Sequence, residues 1–419
     1  MSSDQNRHGK RQPQDVSEAH ELSAETTLTV GLVPAPELPE ILVSLIIEAL
    51  ADQLASEVDD TCQWQLDRVT DPLIGAKDNT RDILSKAQEL SESRHWDYII
   101  CITDLPIFRH RQLVVAEACE ARGVAILSQP ALGASPLRRR LAESIVQLVS
   151  ELHHGSSEAE RDRQQARHDR RGRSFLKWWR RHNARDLMGL RLSERIAPIR
   201  RVSVNDDQQG IDVRFVAAKR LPGTCKLLGG MVRANRPWTI FPTFRKIIAV
   251  AFATGAYGLI FPTLWRLSDA YDPLRFVALM IAAMAAMIGW IILDHGLWEP
   301  QQHPQAFPMA RLYNLTTLMT LSMGVVFYYV SLLVLFLGAV ALFVPSSLLQ
   351  STLEHDIGLS DYLSLAWLAT SVATIAGALG AGLESDETVR TATYGYRQKA
   401  RQKRAHERAE QAEEAREKQ

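Results

Sequence analysis

Residues 315–344 read LTTLMTLSMGVVFYYVSLLVLFLGAVALFV, a run without a single charged side chain. A helix rising about 1.5 Å per residue needs about 20 apolar residues to cross a hydrocarbon core about 30 Å thick. This segment is therefore too long for one upright crossing and too short for two. The charge-free stretch runs over 312–353, and Pro345 breaks it because proline lacks the N–H a helix interior needs. One tilted or extended helix ending at Pro345 is expected. Three shorter uncharged runs, 247–265, 276–293 and 362–383, each suit one pass. Four passes place both ends of the chain on one side.

Basic residues near the membrane ends set the orientation. Arg233, Arg236, Arg245 and Lys246 precede the first run, and Arg390, Arg397, Lys399 and Arg401 follow the last. The segment between the third and fourth runs carries Glu354, Asp356 and Asp361 and no Lys or Arg. Both termini are thus expected in the cytoplasm of a multi-pass plasma-membrane protein. No ionisable residue sits mid-span, which argues against a pump or an ion-coupled transporter. Small residues recur every four positions: Ala251 and Gly255, then Ala278, Ala282 and Ala286, then Ala369, Ala373, Gly377 and Ala381. Such stripes let helices approach closely in lipid, and one of them is a candidate homodimer face. An interfacial ion pair between Arg311 and Glu384 is expected at the cytoplasmic end.

The remainder of the chain is polar. Over 419 residues, 48 Lys+Arg balance 48 Asp+Glu, so a globally basic nucleic-acid binder is excluded and no nucleic-acid partner is expected. Residues 1–26 read as a disordered tail without the apolar core of a signal peptide. Residues 27–155 alternate strand-like and helix-like segments, including the apolar run WDYIICIT at 96–103. The pattern predicts strands at 27–33, 64–69, 96–103, 112–116 and 124–127, with helices at 40–54, 79–94 and 136–153, Ser135 capping the last. The predicted fold class is an α/β cytosolic domain plus an all-α four-helix transmembrane bundle. A connector at 156–240, the membrane domain at 241–385 and a charged cytosolic tail at 386–419 complete the chain.

Ligands of open α/β sheets sit beyond the strand carboxyl ends. Asp71, Thr103, Asp104 and Ser128 occupy those positions and form the candidate ligand-binding set. A strand-end Asp also serves as a turn cap. No G-x-G-x-x-G follows the first strand and no P-loop occurs, so no cofactor is expected. The four cysteines, Cys62, Cys101, Cys119 and Cys225, form no C-x-x-C pair, and no metal site is expected. In the connector, Arg170, Arg171, Lys177, Arg180 and Arg181 interleave with Trp178 and Trp179. Aromatics within a basic stretch suit an interfacial helix on anionic lipid head groups. Residues 201–218 read as a small hairpin near the bilayer.

Two resemblances follow from these segments. WDYIICITDLP, then LVVAEACEARGVAILSQPALG, then a long helix, is similar in order to zincin-type metalloproteases of the archaemetzincin branch. That family's H-E-x-x-H is missing: the helix ends with Glu151, His153 and His154, which implies a degenerate, non-catalytic relative. Across nearly the whole chain, LLGGMVRANRPW, ARLYN and GLESDETVR resemble an uncharacterised actinobacterial four-span membrane-protein family. The expected function is a non-enzymatic sensor, scaffold or regulator. The alternative is a membrane-anchored enzyme with a small-molecule or hydrolase site around Asp104 and Ser128.

Overall fold

The computed structural model describes residues 26–75, 80–171, 185–188, 196–206, 210–241, 244–299 and 307–381. An α/β sheet forms the first part. β1 (Thr26–Pro34), α1 (Leu38–Glu57), β2 (Cys62–Arg68), α2 (Thr80–Arg94) and β3 (Tyr98–Thr103) alternate as the sequence predicts. β4 (Ile107–Arg109), β5 (Gln112–Cys119), β6 (Val124–Ser128), α3 (Leu137–His154) and α4 (Glu158–Arg171) follow. β7 (Ile199–Asp206), β8 (Ile211–Ala217) and α5 (Arg220–Ala234) come next. The sheet order is β2-β1-β3-β6-β5-β8-β7, with β4 paired to β5. The first four strands run parallel, and the pairings from β6–β5 onward are antiparallel. Both faces of the parallel half are covered, one by α1 and α3 and the other by α2. That explains why β3 and β6 carry apolar runs rather than alternation.

Two expectations about this half need correction. The hairpin at 201–218 is not a separate element: β8 pairs with β5 and extends the same sheet well past residue 155. β5 is buried along nearly its whole length, and as an edge strand it would leave a row of backbone groups without partners. Ser135 does not cap α3. Pro136 holds the N-cap position in an extended conformation, with no side-chain cap hydrogen bond, which leaves Ser135 a residue outside the helix.

The second part is helical: α6 (Phe244–Gly258), α7 (Pro262–Ala270), α8 (Pro273–Asp294), α9 (Phe307–Phe343), α10 (Ser346–Leu353) and α11 (Leu359–Ala381). Among the described residues three helices, α8, α9 and α11, are long and apolar enough to cross a membrane. The first expected pass is not one straight helix, because α6 and α7 meet at 93°. The cause is local. Phe261 precedes a proline and adopts an extended conformation, and Pro262 then opens α7. A residue before proline is sterically driven out of the helical region, and the proline has no N–H to continue the ladder.

α9 is a single helix of 37 residues that stops short of Pro345, as the sequence predicts. Its length of about 55 Å exceeds the hydrocarbon core by about 25 Å. The surplus docks onto the sheet domain. Leu312 lies in the sheet-domain core, with Met309 and Tyr313 packed against it. Thr316 Oγ1 lies 3.7 Å from Met231 Sδ on α5, and the Asn235 amide donates to Thr320 Oγ1 at 3.0 Å.

α11 packs against α6, α7, α8 and α9. The small-residue stripes explain the close seam with α6. A methyl group at Gly255 would overlap the Phe336 ring and Ala373, and one at Gly377 would overlap Tyr328 and meet Ala251. The Ala278, Ala282 and Ala286 stripe of α8 is exposed, while Phe276, Ala283, Met287 and Ile291 face inward.

Candidate functional site

The strand carboxyl ends, where an α/β sheet opens to ligands, are occupied by the chain itself. Ala35 N donates to Ile102 O at 2.8 Å and Asp71 N to Pro34 O at 3.2 Å, so backbone pairing continues past the ends of β1 and β2. Ser128 is fully buried, and its hydroxyl donates to Leu105 O at 2.6 Å. Thr103 Oγ1 accepts from Leu105 N at 3.1 Å. Asp104 is buried beside them and Asp71 is half-buried. Beyond Ser128 a short 3-10 turn, Gln129–Leu132, is buried throughout. α5 roofs it so closely that a methyl group at Gly230 would run into the Pro130 carbonyl. The four predicted residues share one end of the sheet, but the hydroxyls of Thr103 and Ser128 are committed to turn geometry.

The other sequence-predicted sites stand as follows. Lys177, Trp178, Trp179, Arg180 and Arg181 lie outside the described residues, as does Glu384 of the expected Arg311 pair. Arg170 and Arg171 end α4, and their side chains also lie outside the described set.

The opposite end of the sheet holds a group that cysteine spacing does not reveal. Asp59 follows α1, Cys62 opens β2, and His153 closes α3. One nitrogen of His153, one Asp59 oxygen and Cys62 Sγ lie within 4.8 Å of one another. His153 Nε2 is 3.3 Å from Asp59 Oδ2, and His153 Nδ1 is 3.1 Å from the Tyr98 hydroxyl. The other Asp59 oxygen accepts from Thr61 N at 2.9 Å and from Thr61 Oγ1 at 2.7 Å. Trp64 and His154 pack edge-on against the His153 ring. Burial opposes ionisation of Asp59, yet the Thr61 and His153 hydrogen bonds outweigh it and hold the carboxyl at about 2. His154 is pushed down to about 4, chiefly by burial, although its bond to Val58 O works the other way. The only hint in the sequence was the spacing Asp59-x-x-Cys62. His153 is distant along the chain and arrives only through the packing of α3 on α1.

The His154 shift gives a testable pH dependence. Its folded pKa lies below the ordinary value of 6.5, so the unfolded chain takes up a proton first as pH falls. Stability is complete above about pH 6.5 and drops as pH falls toward 4, by on the order of 1 kcal/mol at pH 4.5 because the ring is only partly buried. Thermal unfolding of the chelator-treated, detergent-purified chain should show this loss, and His154→Gln should remove most of it. A pH-independent melting temperature between 7 and 4.5 would contradict it. Asp59 adds a further loss between about pH 4 and 2, on the order of 1 kcal/mol because it is partly exposed.

A second group, Asp269, His355 and Asp361, lies among the helices beside a pocket of about 90 Å³ lined by Ser268, Tyr271 and Ser364. His355 Nε2 is 3.0 Å from Asp269 Oδ1, and Asp361 Oδ2 accepts from Gly358 N at 2.7 Å. Asp269 and His355 are solvent-exposed, while Asp361 is half-buried and serves the turn before α11. Compared with known proteins, the chain matches no family model, no curated protein and no solved structure.

Proposed function

We propose that this chain is an integral membrane protein of the plasma membrane that crosses the bilayer four times, the bent α6–α7 pair serving as the first crossing. Both termini and the α/β domain lie in the cytoplasm, and the protein acts there as a non-enzymatic sensor, scaffold or regulator. The observation that carries this reading is α9. It runs without a break from the apolar bundle into the core of the sheet domain, where Leu312 is buried and Asn235 bonds to Thr320. A rigid helix shared by two cores transmits displacement between them, as a coupling device must. The closed strand ends support a structural role over turnover. In this reading the basic-aromatic segment from Arg170 to Arg181 rests on anionic lipid, and the exposed α8 stripe is the remaining face for self-association.

A screen of small polar metabolites by thermal shift on the detergent-purified chain separates this from the enzyme alternative. The scaffold reading expects no stabilisation that depends on Asp104 or Ser128. A ligand whose shift disappears in Asp104→Asn or Ser128→Ala would replace it with a strand-end binding site.

A further inference from the structure

We propose that Asp59, Cys62 and His153 form a binding site for a divalent transition metal of the zinc class, on the sheet domain at the end remote from the strand carboxyl termini. Three features of the geometry carry it. The ligand types are a thiolate, an imidazole and a carboxylate, all donors that zinc accepts, and three protein ligands leave one coordination position open. The separations suit a tetrahedron. Bonds of about 2.0–2.1 Å to nitrogen and oxygen give an edge of about 3.3 Å, and His153 Nε2 stands 3.3 Å from Asp59 Oδ2. The sulfur, within 4.8 Å of both partners, has to close in by no more than about 1.3 Å to reach the edge of about 3.5 Å that a zinc–sulfur bond of about 2.3 Å implies.

The third feature is the support behind the ligands. A metal-bound histidine almost always donates its other ring N–H to a fixed acceptor, which sets the tautomer and the ring direction. The Tyr98 hydroxyl stands at His153 Nδ1 for that purpose, at 3.1 Å. Thr61 likewise holds the Asp59 oxygen that does not face His153. Trp64 and His154 wall the ring on its sides. Metal binding uses the neutral His153 tautomer with its one ring proton on Nδ1, facing the Tyr98 hydroxyl, so that Nε2 is free to bind the metal, and it releases the Cys62 thiol proton to solvent. The remaining coordination position is left for water or for a ligand from a partner. The Asp269, His355 and Asp361 group has comparable support, with His355 Nδ1 2.9 Å from Asp356 O, but it lacks a sulfur donor and two of its three residues are exposed, so it is the internal control for the charge-transfer band.

The experiment uses the full chain, purified in detergent, reduced and stripped with chelator, then titrated with Co(II) and back-titrated with Zn(II). One equivalent of Co(II) is expected, with an intense near-ultraviolet sulfur-to-cobalt charge-transfer band that Zn(II) abolishes. Cys62→Ser should remove the band. His153→Gln should weaken binding at least 100-fold, and Tyr98→Phe should weaken it about 10-fold while keeping the band. His355→Ala should change nothing. Circular dichroism and melting of each metal-free variant separate ligand loss from unfolding. If His153→Gln fails to fold, Cys62→Ser and Tyr98→Phe still decide the case. A chain that binds no Co(II), binding without the charge-transfer band, a band that survives Cys62→Ser, or binding lost in His355→Ala would each overturn the site.

Discussion

Replacing Glu151 by Ala should destabilise the sheet domain by about 3–5 kcal/mol, the cost of leaving buried charge without its counter-charge. Glu151 is fully buried near the end of α3. Arg201 on β7 grips it with two parallel bonds, Nε to Oε1 and Nη2 to Oε2, both 3.0 Å. Gln147 donates to it at 3.0 Å, and the buried Arg161 guanidinium of α4 approaches to 3.7 Å. Arg161 in turn donates to Ser150 O at 3.0 Å and to Gly155 O at 2.6 Å. Arg201 also reaches Glu158 at 2.7 Å and bonds to Ser156 O. One carboxylate thus joins α3, α4 and β7. Its removal takes the buried counter-charge from Arg161 and leaves Arg201 paired only with the exposed Glu158. A domain has about 5–15 kcal/mol in total, so the variant should melt far below the parent. Glu151→Leu combined with Arg201→Met should recover part of the loss, since paired removal of buried charges is far cheaper than removal of one. A Glu151→Ala chain that unfolds within about 1 kcal/mol of the parent would show that the network is solvated and idle.

Gly230→Ala should cost about 3 kcal/mol or more and loosen the joint between the two halves. In an exposed helix the change would gain about 1 kcal/mol from propensity. Here the added methyl would overlap the Pro130 carbonyl oxygen and lie 2.8 Å from its carbon and 2.9 Å from Cα. The obstacle is backbone on both sides, so no rotamer change relieves it, and overpacking of this kind ordinarily costs about 1–3 kcal/mol or more. α5 must move off the 129–132 turn. Met231 and Asn235, which carry the contacts to Thr316 and Thr320 on α9, move with it. Hydrogen exchange should speed up in 129–132 and in α5 while the far edge, β1 and β2, stays protected. Uniform protection equal to the parent would mean that α5 is not a joint.

Much of this architecture is legible in the sequence because burial leaves a strong mark. β1, β3 and β6 appear as β-branched runs, and α9 and α11 as charge-free stretches. The break after Gly258 is not legible, because composition alone does not register a turn inside an apolar run. The hairpin at 201–218 reads as part of the connector because nothing local in the sequence states that β5 needs a partner. The strand-end candidates came from a general rule about α/β sheets. α5 closes that end here, and its packing on Pro130 is a tertiary fact with only Gly230 as its trace. The Asp59, Cys62 and His153 group escaped for a similar reason: two of its members are neighbours, and the third comes from the end of another helix. Glu151, His153 and His154 were noted together, but α3 turns Glu151 toward Arg201 and His153 toward Asp59.

The central claim is that the bent α6–α7 pair, α8 and α9 each cross the bilayer, so that α5 and the start of α11 face opposite compartments. Cys225 on α5 is the exposed thiol among the four cysteines, and Ser360 is exposed at the start of α11. A membrane-impermeant maleimide applied to intact cells should label a Ser360→Cys chain and leave Cys225 untouched, while inside-out vesicles should give the reverse. Labelling of both positions from the same side would mean that α6 and α7 do not cross, and the account of a four-span anchor with a cytoplasmic platform would fall.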